Sequence, residues 1–148
     1  MPTRVLFVCS GNICRSPTAE AVLRRLVDEA GLADEIEVDS AGTGGWHVGD
    51  APDRRAIEAG KRAGITLTGQ ARQIGPADFD DFDLILAVDD ENLARLRRIA
   101  PPGSRARVAK LADDDVPDPY YGGDDGFDDV LAQITKACRE LVDELRQD

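Results

Sequence analysis

Short apolar runs of strand type alternate with longer amphipathic runs of helix type along this chain, and this alternation limits its possible folds more than any other feature. Such alternation is typical of α/β domains built on a parallel sheet. We therefore predict an α/β fold, a three-layer sandwich with a central four-stranded parallel sheet, formed by a single domain over residues 1–148. The predicted strands are residues 4–9, 36–40, 84–88 and 107–111.

The helix-type runs carry recognisable start and stop signals. In the first run, residues 17–30, Pro17 suits the first turn and Ser16 is placed to cap the N-terminus. Gly31 then ends the run. The acidic segment 112–125 is predicted to be a long loop, and loops of that length are often functional. Further helices are predicted over residues 53–63, from Asp89 or Asp90 to the Pro101-Pro102-Gly103 stop, and over residues 127–146.

The connection between the first strand and the first helix has the composition of an anion-binding loop. Cys9 ends the strand, Gly11 lets the backbone curl inward, and Arg15 precedes the helix start. Backbone N–H groups at a helix start, together with a guanidinium, bind a tetrahedral dianion such as phosphate. A Walker-type nucleotide loop is excluded, because no Gly-Lys-Ser/Thr follows Gly11. We therefore predict a phosphate-binding loop after the first strand, formed by Ser10, Gly11, Asn12, Ile13, Cys14 and Ser16.

Cys9 is placed to act as a nucleophile in this loop. The pKa of a free thiol is about 8.5, and it falls to roughly 3.5–7.5 at a helix N-terminus beside a cation. Cys9 meets both conditions, and Ser16 can donate a hydrogen bond to its thiolate. Arg15 offers a planar fork for two phosphoryl oxygens. The strand, the arginine and the Ser-Pro helix start together favour a phosphatase with a cysteine nucleophile over a Cys9 that only fills the core.

Composition disfavours several other classes of protein. The net charge of −11 disfavours nucleic-acid binding and requires a local positive field to hold a phosphorylated substrate. Three cysteines disfavour a disulfide framework, and a single histidine disfavours a structural metal site. We expect no metal and no cofactor. Because no signal peptide and no apolar run of about 20 residues is evident, we expect a cytoplasmic protein without a membrane segment.

Residues 8–20 are similar to the signature of the low-molecular-weight protein tyrosine phosphatases, and the resemblance extends through residues 40–43, 46–49, 71–74 and 118–122. It implies that Cys9 attacks phosphorus to form a phosphocysteine while Arg15 stabilises the phosphoryl oxygens. It also implies that Asp118 protonates the leaving phenolate and then serves as the base for the hydrolytic water. The choice of Asp118 rests on this match, since many aspartates crowd the same region.

The resemblance further implies a substrate class. Trp46 and Tyr120 correspond to aromatic residues that flank the cleft of the family, and two aromatic walls favour a flat phenyl ring. Ile13 takes a position that is aliphatic in tyrosine-specific members and threonine in the arginine-phosphate branch. The implied partner is therefore a phosphotyrosine-containing protein.

Two expectations concern the stability of the loop. At Gly69 many relatives have a histidine that hydrogen-bonds the loop asparagine, so the resemblance leaves Ser40 as the support of Asn12. Cys14 lies in the same loop as Cys9, and on oxidation we hypothesise a disulfide between them that protects Cys9 from irreversible oxidation.

Three alternative functions stay open on the sequence alone. A phosphoarginine phosphatase would share the scaffold. A thiol-dependent arsenate reductase would need resolving cysteines after the third strand, and none occurs between Val88 and Ala137. A non-catalytic phosphate-binding module would be expected to lack Cys9, Arg15 or Asp118, and the chain has all of them.

Overall fold

Four parallel strands form one sheet in the computed structural model, which describes residues 2–146. The strands are β1 (Thr3–Cys9), β2 (Ile36–Gly42), β3 (Leu84–Ala87) and β4 (Arg107–Lys110), in the spatial order β2-β1-β3-β4. The helices are α1 (Arg15–Glu29), α2 (Arg54–Arg62), α3 (Asp78–Asp81), α4 (Asp90–Ile99) and α5 (Asp125–Arg146). The predicted α/β sandwich with a four-stranded parallel sheet is confirmed.

Helices cover both faces of the sheet, which explains why β1 is apolar throughout. Side chains alternate between the two faces along a strand. Val5 and Phe7 are fully buried in a core shared with α1, α2 and α5. Leu6 and Val8 are fully buried on the opposite face, in a core shared with α3 and α4. A strand buried on both faces needs a continuous apolar run, and residues 5–8 supply it.

The strand order places the loop after β1 in a crevice. The chain continues from β1 to β2 on one side of the sheet, and from β3 to β4 on the other. The connections therefore diverge at the carboxyl ends of β1 and β3, and open α/β sheets bind ligands at such a point. Residues 10–14 follow β1, and Asp89 follows β3, so both segments lie at this crevice.

Two helices begin earlier than the sequence predicts. α1 begins at Arg15 with Cys14 at the N-cap position, so Ser16 lies inside the first turn. The prediction that Ser16 caps this helix is wrong, because its hydroxyl is directed to the Cys9 sulfur instead. α5 begins at Asp125 rather than at Phe127.

The short helix α3 is absent from the sequence-based prediction. Its four residues are too few to display the 3.6-residue period of a helix. Phe79 of α3 and the following Phe82 are buried against the sheet face that carries Leu6 and Val8. Within residues 2–146, no helix combines the length and the apolar composition that crossing a membrane requires.

Candidate active site

Hydrogen-bond donors surround the Cys9 sulfur at the end of β1. The Asn12 backbone N–H donates to Cys9 Sγ at 3.3 Å, and Ser16 Oγ lies 2.9 Å from the same atom. Ser16 Oγ also accepts from Asn12 Nδ2 at 2.8 Å, which leaves its own proton free for the sulfur or for the more distant Ala41 carbonyl at 3.4 Å. Donors directed at a sulfur stabilise a thiolate, the form in which cysteine is a nucleophile.

Asn12 holds the loop in its curled shape. Its φ of 59° lies in the left-handed region, which asparagine tolerates better than most residues. Its Nδ2 donates to Ser16 Oγ at 2.8 Å and to Ser40 Oγ at 3.0 Å, and its Oδ1 accepts from the Arg72 backbone N–H at 2.9 Å. Ser40 in turn donates to Glu20 Oε1 at 2.6 Å. The carboxamide is therefore fixed from three sides by buried or half-buried groups.

Gly69 takes no part in this network. It is exposed, its φ is +89°, and a Cβ atom built there would meet nothing within 4 Å. The Asn12 carboxamide nevertheless uses both its donor and its acceptor atoms. Gly69, where the resemblance implies a histidine, therefore leaves no orphaned polar atom on Asn12. The backbone contact from Arg72 is one that sequence reasoning missed, and residue spacing carries no signal for it.

The Arg15 guanidinium is anchored through one nitrogen and available through the other. Nη1 donates to Asp89 Oδ2 at 2.6 Å and to the Val116 carbonyl at 3.0 Å. Nη2 lies 3.5 Å from Ser10 Oγ and 3.7 Å from Asp118 Oδ2. Only 4% of the Arg15 side chain is exposed, so these contacts fix its direction.

Asp89 is a functional residue that sequence reasoning missed. Its Oδ1 accepts from the Asn92 backbone N–H at 2.8 Å and caps α4, while its Oδ2 holds Arg15. The sequence predicted a helix start at Asp89 or Asp90 but not the ion pair. The available signal was position: Asp89 follows β3, the neighbour of β1, so it lies at the same sheet edge as Cys9.

A cavity of about 390 Å³ opens over Cys9. The loop after β1 forms its floor, and aromatic side chains form its rim, with Trp46 71% and Tyr120 37% exposed. Predicted site residues in the lining are Cys9, Ser10, Gly11, Ile13, Cys14, Arg15, Trp46, Asp118 and Tyr120. His47 and Tyr121 line it as well, although neither was predicted to do so. The other predicted residues, Asn12, Ser16 and Ser40, support the loop from behind.

Asp118 reaches this cavity from a segment far away in sequence. Its carboxylate is half-exposed, with Oδ1 accepting from the Tyr120 backbone N–H at 3.1 Å and Oδ2 lying 3.7 Å from Arg15 Nη2. The carboxylate thus lies over the same space as the Cys9 sulfur. A thiol, a guanidinium and a carboxyl group around one cavity can carry out nucleophilic attack, charge stabilisation and proton transfer.

The three thiols differ in their surroundings, and we expect iodoacetamide at neutral pH to modify Cys9 selectively. Burial, reinforced by the Asp53 carboxylate, strongly raises the pKa of the Cys14 thiol. Burial raises the pKa of Cys138 to about 12. Alkylation requires the thiolate. Cys14 and Cys138 should therefore stay unmodified at neutral pH, which lies well below their raised pKa values. Peptide mass mapping checks this, with the denatured protein as the control in which all three react. Faster labelling of Cys14 than of Cys9 would contradict the prediction.

The fold and the loop after β1 define an α/β protein with an anion-binding site in the crevice where the connections from β1 and β3 diverge. Comparisons with known proteins identify its family. The sequence-family model described as "Low molecular weight phosphotyrosine protein phosphatase" matches residues 4–148. The chain is 48% identical over 147 residues to the low molecular weight phosphotyrosine protein phosphatase of Schizosaccharomyces pombe, covering 94% of each sequence.

Solved structures of similar proteins indicate the same family. The crystal structure of YfkJ from Bacillus subtilis is similar with a TM-score of 0.92 and 42% identity, over 99% of this chain and 96% of that one. The crystal structure of a Drosophila arginine phosphatase is similar with a TM-score of 0.92 and 36% identity, over 97% of this chain and 98% of that one. The chain therefore belongs to the low-molecular-weight phosphotyrosine protein phosphatase family.

Proposed function

We propose that this chain hydrolyses phosphotyrosine in proteins through a phosphocysteine intermediate on Cys9. Family membership makes it a phosphoric monoester hydrolase of the protein-tyrosine-phosphatase class. The observation that carries the assignment of roles is that Cys9, Arg15 and Asp118 line one cavity of about 390 Å³. The cytoplasmic location expected from the sequence stays a prediction.

In the first step, the Cys9 thiolate attacks phosphorus as the bond to the phenolic oxygen breaks. The loop N–H groups and Arg15 Nη2 receive the phosphoryl oxygens, where charge is spread in the transition state. Protonated Asp118 gives its proton to the departing phenolate. Its carboxyl group lines the same cavity as Cys9 and lies 3.7 Å from Arg15 Nη2, which suits proton transfer to a leaving group held in that cavity.

In the second step, water attacks the phosphorus of the phosphocysteine. Asp118, now a carboxylate, removes a proton from this water, and the sulfur leaves as the thiolate that the Asn12 N–H and the Ser16 hydroxyl stabilise. Phosphate is released and the starting thiolate is restored. The same groups therefore serve both steps, with Asp118 alternating between acid and base.

The shape and lining of the cavity support an aryl phosphate as substrate. Trp46 and Tyr120 at its rim offer aromatic surface to a phenyl ring, and Ile13 of the phosphate-binding loop adds an apolar contact. A phosphoarginine side chain carries a polar guanidinium where the ring would lie, and an aliphatic residue offers that group no hydrogen bond. Phosphoarginine hydrolysis is nevertheless the second candidate, because the chain is similar to a Drosophila arginine phosphatase.

A panel of phosphopeptides with the wild type and Asp118→Ala tests this function. For the wild type we expect phosphotyrosine peptides to give a kcat/KM well above matched phosphoserine and phosphoarginine peptides. For Asp118→Ala we expect kcat/KM on phosphotyrosine to fall by about 10²–10⁴-fold, the usual contribution of a general acid. Inhibition by inorganic phosphate should persist, because the loop that binds it is intact. Preference for phosphoarginine, or no loss on phosphotyrosine in the variant, would contradict the proposal.

A further inference from the structure

Arg55, near the start of α2, contacts the segment that carries Asp118. Its Nη2 donates to the Tyr120 carbonyl at 2.8 Å, and its Nη1 donates to the Gly122 carbonyl at 3.2 Å. The backbone N–H of the same Tyr120 donates to Asp118 Oδ1 at 3.1 Å. Tyr120 thus links the guanidinium of Arg55 to the carboxylate of Asp118. We call residues 118–122 the acid loop.

Arg55 is also connected, through Asp53, to the loop after β1. Asp53 Oδ1 accepts from Arg55 Nε at 3.2 Å, and Oδ2 accepts from Arg55 Nη2 at 3.3 Å. The Asp53 backbone N–H donates to the Ile13 carbonyl at 2.7 Å. Partial burial would raise the pKa of Asp53, but hydrogen bonds from Arg55 outweigh it and hold that pKa below its usual range. Asp53 and Arg55 therefore join the acid loop to the phosphate loop through a charged pair.

Aromatic rings fix the plane of the Arg55 guanidinium. Its central carbon lies 4.6 Å from the ring centroid of Phe127, a buried residue of α5, and 5.6 Å from that of Tyr120. Contacts with two rings, an aspartate and two carbonyls together restrain the direction of this planar cation. Phe127 extends the connection to α5, so α2, α5 and the acid loop meet at this guanidinium, and the loop after β1 is joined to it through Asp53.

We propose that Arg55 is a positioning residue for the acid–base step, holding the acid loop so that the Asp118 carboxyl group faces the leaving oxygen of a substrate on Cys9. Asp118 itself is half-exposed, and among residues 2–146 its carboxylate contacts only the Tyr120 N–H and Arg15 Nη2. Removing Arg55 would leave the two loop carbonyls without this donor and would let the acid loop move. The inference rests on the proposed function, because it assigns Arg55 a role only if Asp118 is the acid.

The dependence of kcat/KM on the leaving group separates a positioning role of Arg55 from a general effect on protein stability. Departure of the tyrosine phenolate needs a proton, whereas the more acidic phenol of p-nitrophenyl phosphate leaves with little help. For Arg55→Gln we expect kcat/KM on a phosphotyrosine peptide to fall by about 10–100-fold, as a misplaced catalytic group does, with a much smaller fall on p-nitrophenyl phosphate. The ratio of the two values within one variant is independent of the fraction of folded enzyme.

Arg62→Gln is the matched control. Arg62 lies on the same helix and bonds Asp128 of α5 at 2.8 Å, but it does not contact the acid loop. We expect this variant to keep the wild-type ratio of the two kcat/KM values. A double variant, Arg55→Gln with Asp118→Ala, should lose no more on phosphotyrosine than Asp118→Ala alone, because a positioning residue has no effect once its target is gone.

The outcomes distinguish failure of this inference from failure of the function. An equal loss on both substrates in Arg55→Gln, or additive losses in the double variant, overturns the positioning role while leaving Asp118 as the acid. If Asp118→Ala itself shows no dependence on the leaving group, the assignment of the acid fails and the role of Arg55 fails with it. Selective loss in Arg55→Gln and Asp118→Ala, but not in Arg62→Gln, supports both.

Discussion

Replacing Cys9 with serine should reduce hydrolysis of p-nitrophenyl phosphate by on the order of 10⁴-fold or more, as removal of a catalytic nucleophile does in other enzymes. The Asn12 N–H and the Ser16 hydroxyl lie within hydrogen-bond distance of the Cys9 sulfur, an arrangement that suits a sulfur nucleophile, and a serine hydroxyl is a much weaker nucleophile. The change is nearly isosteric, so the loop and its phosphate affinity should persist. Steady-state kinetics together with phosphate inhibition measure both quantities.

The intermediate supplies an independent check on Cys9. Rapid acid quench of the wild type during turnover, followed by peptide mass mapping, should find phosphate on the peptide that contains Cys9, and the serine variant should show none. Cys138→Ala is the matched control, because that thiol is buried in the core against α1 and does not line the cavity. Turnover by Cys9→Ser at near wild-type rates would refute the nucleophile assignment.

Replacing Arg15 with lysine should lower kcat/KM by on the order of 10³-fold, although the positive charge is kept. The guanidinium bonds Asp89 and the Val116 carbonyl through one nitrogen while the other remains for the phosphoryl group. A lysine ammonium is a single point charge, so it cannot make both sets of contacts at once. The affinity for inorganic phosphate should fall together with the rate, since in the proposed mechanism the same nitrogen binds the ground state and the transition state.

Arg25→Lys on the same helix controls for a general effect on α1. Arg25 bonds Glu29 at 2.8 Å on the exposed side of the helix, so its replacement should leave kcat/KM unchanged. Arg15→Lys with activity within a few-fold of the wild type would show that charge alone suffices at this position. The geometry around Asp89 would then need another explanation.

The segments around Cys9 were predictable because their chemistry is local. β1, the loop and α1 follow one another, and the apolar run, the glycine and the Ser-Pro helix start each favour the same conformation. The contacts of Ser16 and Asn12 with the sulfur lie within this stretch. The prediction failed at Ser16 as a cap, because a hydroxyl can serve only a few partners and the sulfur lies 2.9 Å away.

Residues that reach the site from elsewhere were harder to predict. Asp118 was selected by a motif match among many nearby aspartates, whereas Asp89 and Arg55 were not selected at all. Asp89 meets Arg15 only because β3 lies beside β1 in the sheet. Arg55 meets the acid loop only because α2 and α5 pack on the same face of that sheet.

The sequence by itself determined where the anion-binding loop of this protein lies, because a strand, a loop and a helix that are adjacent in the chain carry its main signals locally. The distant contacts from Ser40 and Arg72 then complete the support of Asn12. Tertiary structure alone decided which carboxylates lie beside that loop. Strand order brings Asp89 behind Arg15, and helix packing lets Arg55 hold the segment of Asp118 over Cys9. These contacts join residues far apart in sequence, so they depend on the summed packing of the whole core rather than on any local preference.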